Sequence, residues 1–128
     1  MSRLVLPLPP SVNHAYRNFT TANGRRMRVP TREAARFKRD AAWLAKAWRA
    51  DTRWSIPPED RKVIVRMWVY WRDWRRRDTD NTWKLTLDAL KGILYEDDSM
   101  CLPQVIDFGV DRENPRVEIE LEVKEGSS

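Results

Sequence analysis

Apolar residues along this chain recur with two different periods, and the alternation between them lays out the fold. Between Thr31 and about Ala50, Phe37, Ala41, Leu44 and Trp48 fall at i, i+4, i+7 and i+11, the stripe of an amphipathic helix. Thr31 is a good N-cap for it, and Arg32, Arg36 and Arg39 form a basic outer face. From Lys62 to Trp71 the period drops to two: Val63, Val65, Met67, Val69 and Trp71 alternate, with Ile64, Trp68 and Tyr70 between them. That pattern predicts a strand covered at least partly on both faces. A second helix is predicted from about Asn81 to Leu94, capped by Asp78 or Asp80, with Trp83, Leu87, Leu90 and Leu94 on one side. Two more strands, near 104–110 and 116–124, read as a hairpin turning at Arg112-Glu113-Asn114-Pro115, with Glu118, Glu120 and Glu122 on the solvated face.

The remaining segments are weaker. Leu4 to Leu6 makes a short strand stopped by Pro7, Pro9 and Pro10. Ser11 to Pro30 is polar and basic, a loop or loose hairpin, and 51–60 with Pro57-Pro58 is a linker. The order β-α-β-α-β-β predicts an α+β fold: a mixed sheet of three to five strands with two main helices. Trp43, Trp48, Trp68 and Trp83 sit at core-like spacings, while Trp71 and Trp74 flank a basic run, where packing competes with stacking on unpaired bases.

Composition narrows the classes. At 128 residues, 41% hydrophobic and 34% charged, the chain has the length for one domain, residues 1–128, with a core of its own. No apolar run approaches the ~20 residues a membrane helix needs, and the opening Met1–Pro7 is too short and too soon broken by proline for a secretory signal. The single Cys101 leaves no internal disulfide and no multi-cysteine zinc site, so a reducing, cytoplasmic setting is expected. One histidine, His14, excludes His-rich metal chemistry.

Net charge of +5 understates the polarity of the molecule. Residues 1–77 carry 19 of the 24 Lys+Arg but only 6 of the 19 Asp+Glu. A basic half of this strength is the electrostatic footprint of a nucleic-acid binder. The acidic half suits passive DNA coating poorly, and better suits a chain in which some carboxylates hold metal ions.

The two halves meet at Arg75-Arg76-Arg77-Asp78-Thr79-Asp80-Asn81, with Lys84 close behind. Guanidinium forks fit phosphate oxygens, and closely spaced carboxylates fit a hard divalent cation such as Mg²⁺. Together they describe a site that grips a phosphodiester and hydrolyses it with ion-activated water. Asp78 and Asp80 point the same way if the backbone there is extended. Asp80, Lys84 and Asp88 follow along one helix stripe, which places Lys84 to stabilise charge on a leaving oxygen. Asp97 and Asp98 supply a third carboxylate.

The stretch Arg76–Lys84, then Asp88-Ala89-Leu90 and Asp97-Asp98, resembles the signature of the RusA-type Holliday junction resolvases. The opening Pro9-Pro10-Ser11-Val12-Asn13, followed by Tyr16-Arg17, is similar to that family's N-terminal pattern. The resemblance implies a small homodimeric endonuclease of bacteria or their prophages, cutting four-way DNA junctions by paired nicks with Mg²⁺, or Mn²⁺ in its place. Carried onto this chain, it makes Asp78, Asp80 and Asp98 the metal-binding and catalytic carboxylates and Lys84 a catalytic helper. Asn13, Arg17, Arg75, Arg76, Arg77 and Asn81 are then the expected DNA contacts. The segment between Leu90 and the Asp97-Asp98 pair is slightly shorter than in the family pattern, so Asp97 stays open as the third ligand. If the second helix runs to Leu94, Asp98 struggles to return to Asp78 and Asp80 within one chain, which favours a site shared across a dimer. Two other readings fit the same residues. One is a non-catalytic DNA-binding module with structural acids; the other is a metal-dependent nuclease acting on flaps or RNA. None of the three involves a membrane or a small-molecule substrate.

Overall fold

The computed structural model describes residues 2–10, 16–20, 22–75 and 79–125, with 16–19, 26–30 and 79–81 placed by backbone alone. Eight elements follow in order: β1 (Leu4–Leu6), β2 (Tyr16–Thr20), β3 (Arg26–Pro30), α1 (Arg32–Thr52), β4 (Val63–Trp71), α2 (Thr79–Leu90), β5 (Cys101–Val110) and β6 (Arg116–Val123). The main sheet has four strands in the order β1-β6-β4-β5, mixed in direction. With two helices packed on it, this is the α+β architecture expected. The polar segment before α1 folds as an antiparallel hairpin, β2 on β3, in a two-stranded sheet of its own.

β4 sits second from one edge, paired on both sides, and its apolar residues fall on both faces. Val63, Val65, Met67, Val69 and Trp71 are buried beneath the helices, and the alternate residues are half-buried. The opposite sheet face is roofed by charge rather than by a second layer. Arg66 pairs with Glu122 at 2.7 Å, and Arg3 pairs with Glu118 at 3.1 Å while lying 3.6 Å over the Trp68 ring. Arg116 lies 4.1 Å over Tyr70 and pairs with Glu118 at 2.7 Å. The β6 glutamates therefore stand in a lattice of ion pairs and cation–π contacts, not on the bare solvated face that alternation alone suggests.

β5 and β6 do not form the expected hairpin. β4 lies between them, parallel to β5 and antiparallel to β6. Residues 111–115 instead bridge over the end of β4, where the Asp111 N–H donates to the Trp71 carbonyl at 2.8 Å. Alternation reports which face a residue takes but not which neighbour it pairs with. Between Met67 and Trp68 the β4–β5 register skips Ile106, a bulge that leaves Ile106 and Phe108 exposed on the edge strand.

α1 begins as expected, the Ala34 N–H donating to Thr31 Oγ1 at 3.2 Å. Its buried residues are Ala34, Phe37, Ala41, Ala45 and Trp48. Leu44 is 37% exposed and Trp43 75% exposed, so neither joins the core. Small Ala45 takes the inward position that Leu44 was expected to hold. Trp48 is anchored by donating Nε1–H to the Ser2 carbonyl at 3.3 Å, and Trp83 packs half-buried against the core.

α2 ends at Leu90, four residues short of expectation, because the chain turns back there. The N–H groups of Ile93 and Leu94 both reach the Leu90 carbonyl at 3.1 Å, and Gly92 donates to the Tyr95 carbonyl at 2.7 Å. The buried Tyr95 hydroxyl donates to the Leu87 carbonyl, while Arg49 and Trp54 donate to the carbonyls of Ile93 and Leu94 at 2.9 and 2.8 Å. Gly92 has φ +80, the left-handed region where a side chain is strained even in open space. A Gly92→Ala variant should therefore lose about 1–2 kcal/mol of stability, read as a lowered midpoint in urea unfolding with unchanged slope.

Candidate active site and nucleic-acid interface

Beyond Trp71 the chain leaves the sheet and turns sharply. Asp73 accepts the Arg75 N–H at 3.0 Å and faces Arg75 Nε at 3.6 Å, so this carboxylate closes the turn. Trp71 is buried and serves packing, whereas Trp74 is 69% exposed. Arg76, Arg77 and Asp78 lie outside the described residues, as does Asn13. Backbone places Arg17 in β2, and Asp80 and Asn81 in the first turn of α2. Lys84, one turn on, is exposed. Asp88, a further turn along, pairs with Lys38 of α1 at 2.9 Å.

The second acidic group opens a single 3₁₀ turn, Asp98–Met100, directly ahead of β5. Asp97 is tied into it: Ser99 Oγ donates to Oδ2 at 3.0 Å and Lys91 Nζ lies 3.5 Å from Oδ1. A hydrogen bond between the two neighbouring carboxyls holds Asp97 below its ordinary value, with Ser99 assisting. The same bond, then burial and the Asp97 charge, pushes Asp98 up. Two carboxyls that resist ionising together are relieved by a nearby cation, and their all-oxygen chemistry fits a hard divalent ion. Among the described residues no three Asp, Glu, His or Cys gather as a metal-holding group, so the pair is at most part of a larger ligand set.

Topology keeps the acids apart within one chain. β4 and β5 are parallel, so Cys101 registers with Val63 and Val110 with Trp71. Asp98 consequently enters the sheet at the start of β4, while Asp80 follows its end. Asp88 is the α2 carboxylate whose charge reaches Asp98. Asp80 stands two helical turns, about 12 Å, farther along the axis. Ligands of one Mg²⁺ sit about 2.1 Å from the ion, a gap this helix does not close.

Two features at the Asp80 end escaped the sequence reading. One is a groove between the Pro7–Pro10 segment and the first turns of α1, lined by Arg32, Arg36, Arg39 and Arg72, with Glu33 and Asp40 on its walls. The i, i+4, i+7 spacing of the helical arginines was the signal; that Arg72 joins them is a matter of tertiary folding. The other is a clamp from Arg116, which holds Asp111 Oδ2 at 2.7 Å and the Asn114 carbonyl at 2.9 Å above the end of β4.

The described residues thus combine a mixed sheet crossed by two helices with a basic groove at one end and acidic groups at both. The family model described as endodeoxyribonuclease RusA matches residues 7–122, and the chain belongs to that family. Membership makes it a DNA endonuclease by class and implies Holliday junction resolution on branched DNA with metal dependence. No curated protein matches the chain.

The Arg116 clamp carries a pH signature. Hydrogen bonds from Arg116 and the Asn114 N–H hold Asp111 below the ordinary 3.8. Burial pushes Glu118 up, but hydrogen bonds from Arg116 and Arg3 outweigh it and hold the carboxyl below 4.5. Both groups are depressed in the folded state, so the unfolded chain binds more protons in acid. Their contribution is complete above the ordinary values and is lost as pH falls through and below them. Thermal melts should be flat from neutrality to about pH 5 and fall beneath about pH 4, with a shallower fall for Arg116→Gln.

Proposed function

We propose that this protein resolves four-way DNA junctions as a homodimer, placing paired nicks on opposed strands with Mg²⁺, for which Mn²⁺ substitutes. The observation that carries the reading is the distance between the acidic groups in one protomer, set against a family whose members cut DNA. Asp78 and Asp80 of one protomer and Asp98 of the partner subunit would hold the ion, a two-fold arrangement that generates two sites at once. Asp98 is favoured over Asp97 because Ser99 and Lys91 already engage the Asp97 carboxylate. When bound, such an ion polarises the scissile phosphate and eases deprotonation of the attacking water. The protein's own share is positional. Arg75, Arg76 and Arg77 grip phosphate oxygens beside the site, with Asn13, Arg17 and Asn81 contacting the strands. Lys84, one turn from Asp80, neutralises charge growing on the leaving oxygen. The lone thiol, Cys101, is consistent with work in a reducing cytoplasm.

Asp78→Asn, Asp80→Asn and Asp98→Asn should each abolish Mg²⁺-dependent nicking of a labelled mobile junction while preserving junction binding. Asp78→Asn protein mixed with Asp98→Asn protein should regain nicking in the heterodimer, because one intact site is rebuilt. Activity absent from a verified heterodimer counts against the shared site, and cleavage of flaps or RNA in preference to junctions counts against the substrate. Replacing Arg75, Arg76 and Arg77 by Gln should weaken binding and lower the slope of log affinity against log salt by about one for each phosphate no longer neutralised.

A further inference from the structure

The cations of α1 are divided by what they face. Lys38 is bound to Asp88, and Arg49 donates to the Ile93 carbonyl, so these two fasten α1 to α2 and to the turn that follows it. Arg32, Arg36, Arg39 and Lys46 are exposed and make no ion pair among the described residues. Their spacing, with Trp43, is +4, +3, +4 and +3, which keeps all five on one stripe of the helix. The stripe runs about 21 Å from Arg32 to Lys46 at 1.5 Å per residue. Its first half forms the wall of the Arg72 groove, at the end of the sheet from which Asp80 emerges.

Trp43 stands in the middle of this stripe, 75% exposed, the most exposed of the large hydrophobic side chains in the described structure. An indole held open to water between Arg39 and Lys46 serves neither the core nor a like-charged surface. A second copy of this chain docking through the same stripe would set four cations against four. A polyanion is attracted to all of them, and a cationic track interleaved with an aromatic platform is how proteins hold unstacked strands. Asp40 and Glu33 border the stripe, but four guanidiniums at the groove outnumber the two carboxylates.

We infer that the outer face of α1 is a second DNA-binding surface, on which Arg32, Arg36, Arg39 and Lys46 follow the backbone of a junction arm and Trp43 stacks on a base unpaired at the branch point. This rests on the junction-resolving reading and extends it, because it assigns recognition of the branch to residues away from the cleavage chemistry. It also separates two kinds of contact. The arginines read any DNA backbone, whereas Trp43 reads only DNA that exposes a base face.

Binding by Trp43→Ala, Trp43→Phe and the Arg36→Gln/Arg39→Gln pair would be measured on a fixed four-way junction and on a linear duplex of the same arm sequence. Trp43→Ala should lose about tenfold in junction affinity, the scale of one base–aromatic stack, with duplex affinity changing less than twofold. Trp43→Phe should restore most of the loss. The arginine pair should weaken both substrates and reduce the salt slope by about two. Removing an indole that faces water should leave the fold intact, and coincident thermal melts of Trp43→Ala and the parent would document that. Equal loss on junction and duplex, or no loss on either, overturns the inference while leaving junction cleavage standing. A Trp43→Ala protein that changes oligomeric state in sedimentation but binds junctions normally overturns it too, by assigning the face to self-association. Failure of the parent protein to bind any branched DNA sinks the underlying reading instead.

Discussion

The parallel pairing of β4 with β5 governs the arrangement of this molecule. Parallel neighbours cannot be joined by a tight turn, so the chain must cross from one end of the sheet to the other between them. α2 makes that crossing, and whatever lies before it is delivered to the opposite end from whatever lies after it. The arginine–aspartate run leads into the first turn of α2 and the Asp97-Asp98 turn follows the helix. Their separation is thus a property of connectivity, not of helix length. Shortening the helix to Leu90 brings Asp98 nearer Asp88 without bringing it to Asp80.

What the sequence made legible follows the same logic. The period-two run of β4 and the Thr31 cap were readable because burial and capping are local demands, satisfied by residues a few positions apart. The β5–β6 hairpin was misread because Asp111–Pro115 has turn chemistry whether it joins neighbouring strands or steps across a third. Trp43 and Leu44 were assigned to the core on spacing, and Ala45 takes the inward position because a helix face close to a sheet accepts a small side chain there. The DNA-cutting class of the chain was carried by a compact motif whose residues sit within a few positions of each other. The separation of its acids was anticipated from helix length alone; its cause, the parallel pairing of β4 with β5, was invisible, since no local pattern encodes strand direction.

Charge is used here in two distinct ways. On the open sheet face, Arg3, Arg66 and Arg116 are matched to β6 glutamates and stacked on Trp68 and Tyr70, so they act as a lid over aromatic and aliphatic surface. Along the outer stripe of α1 and around Arg72 the cations are left facing water. An excess of positive charge on one side, with neutralised pairs on the other, gives the molecule a direction in an electric field. It would turn its basic end toward a polyanion before contact.

Cys101 lies at the head of β5, buried under Tyr95, and that burial pushes its thiol up to about 12. The reactive form of cysteine is the thiolate, so the one native thiol is chemically silent near neutral pH. A cysteine introduced anywhere on the surface would accordingly be the sole site for a maleimide dye or spin label. Buried as a spectator, Cys101 makes this chain ready for distance measurements between introduced labels without prior removal of a native thiol.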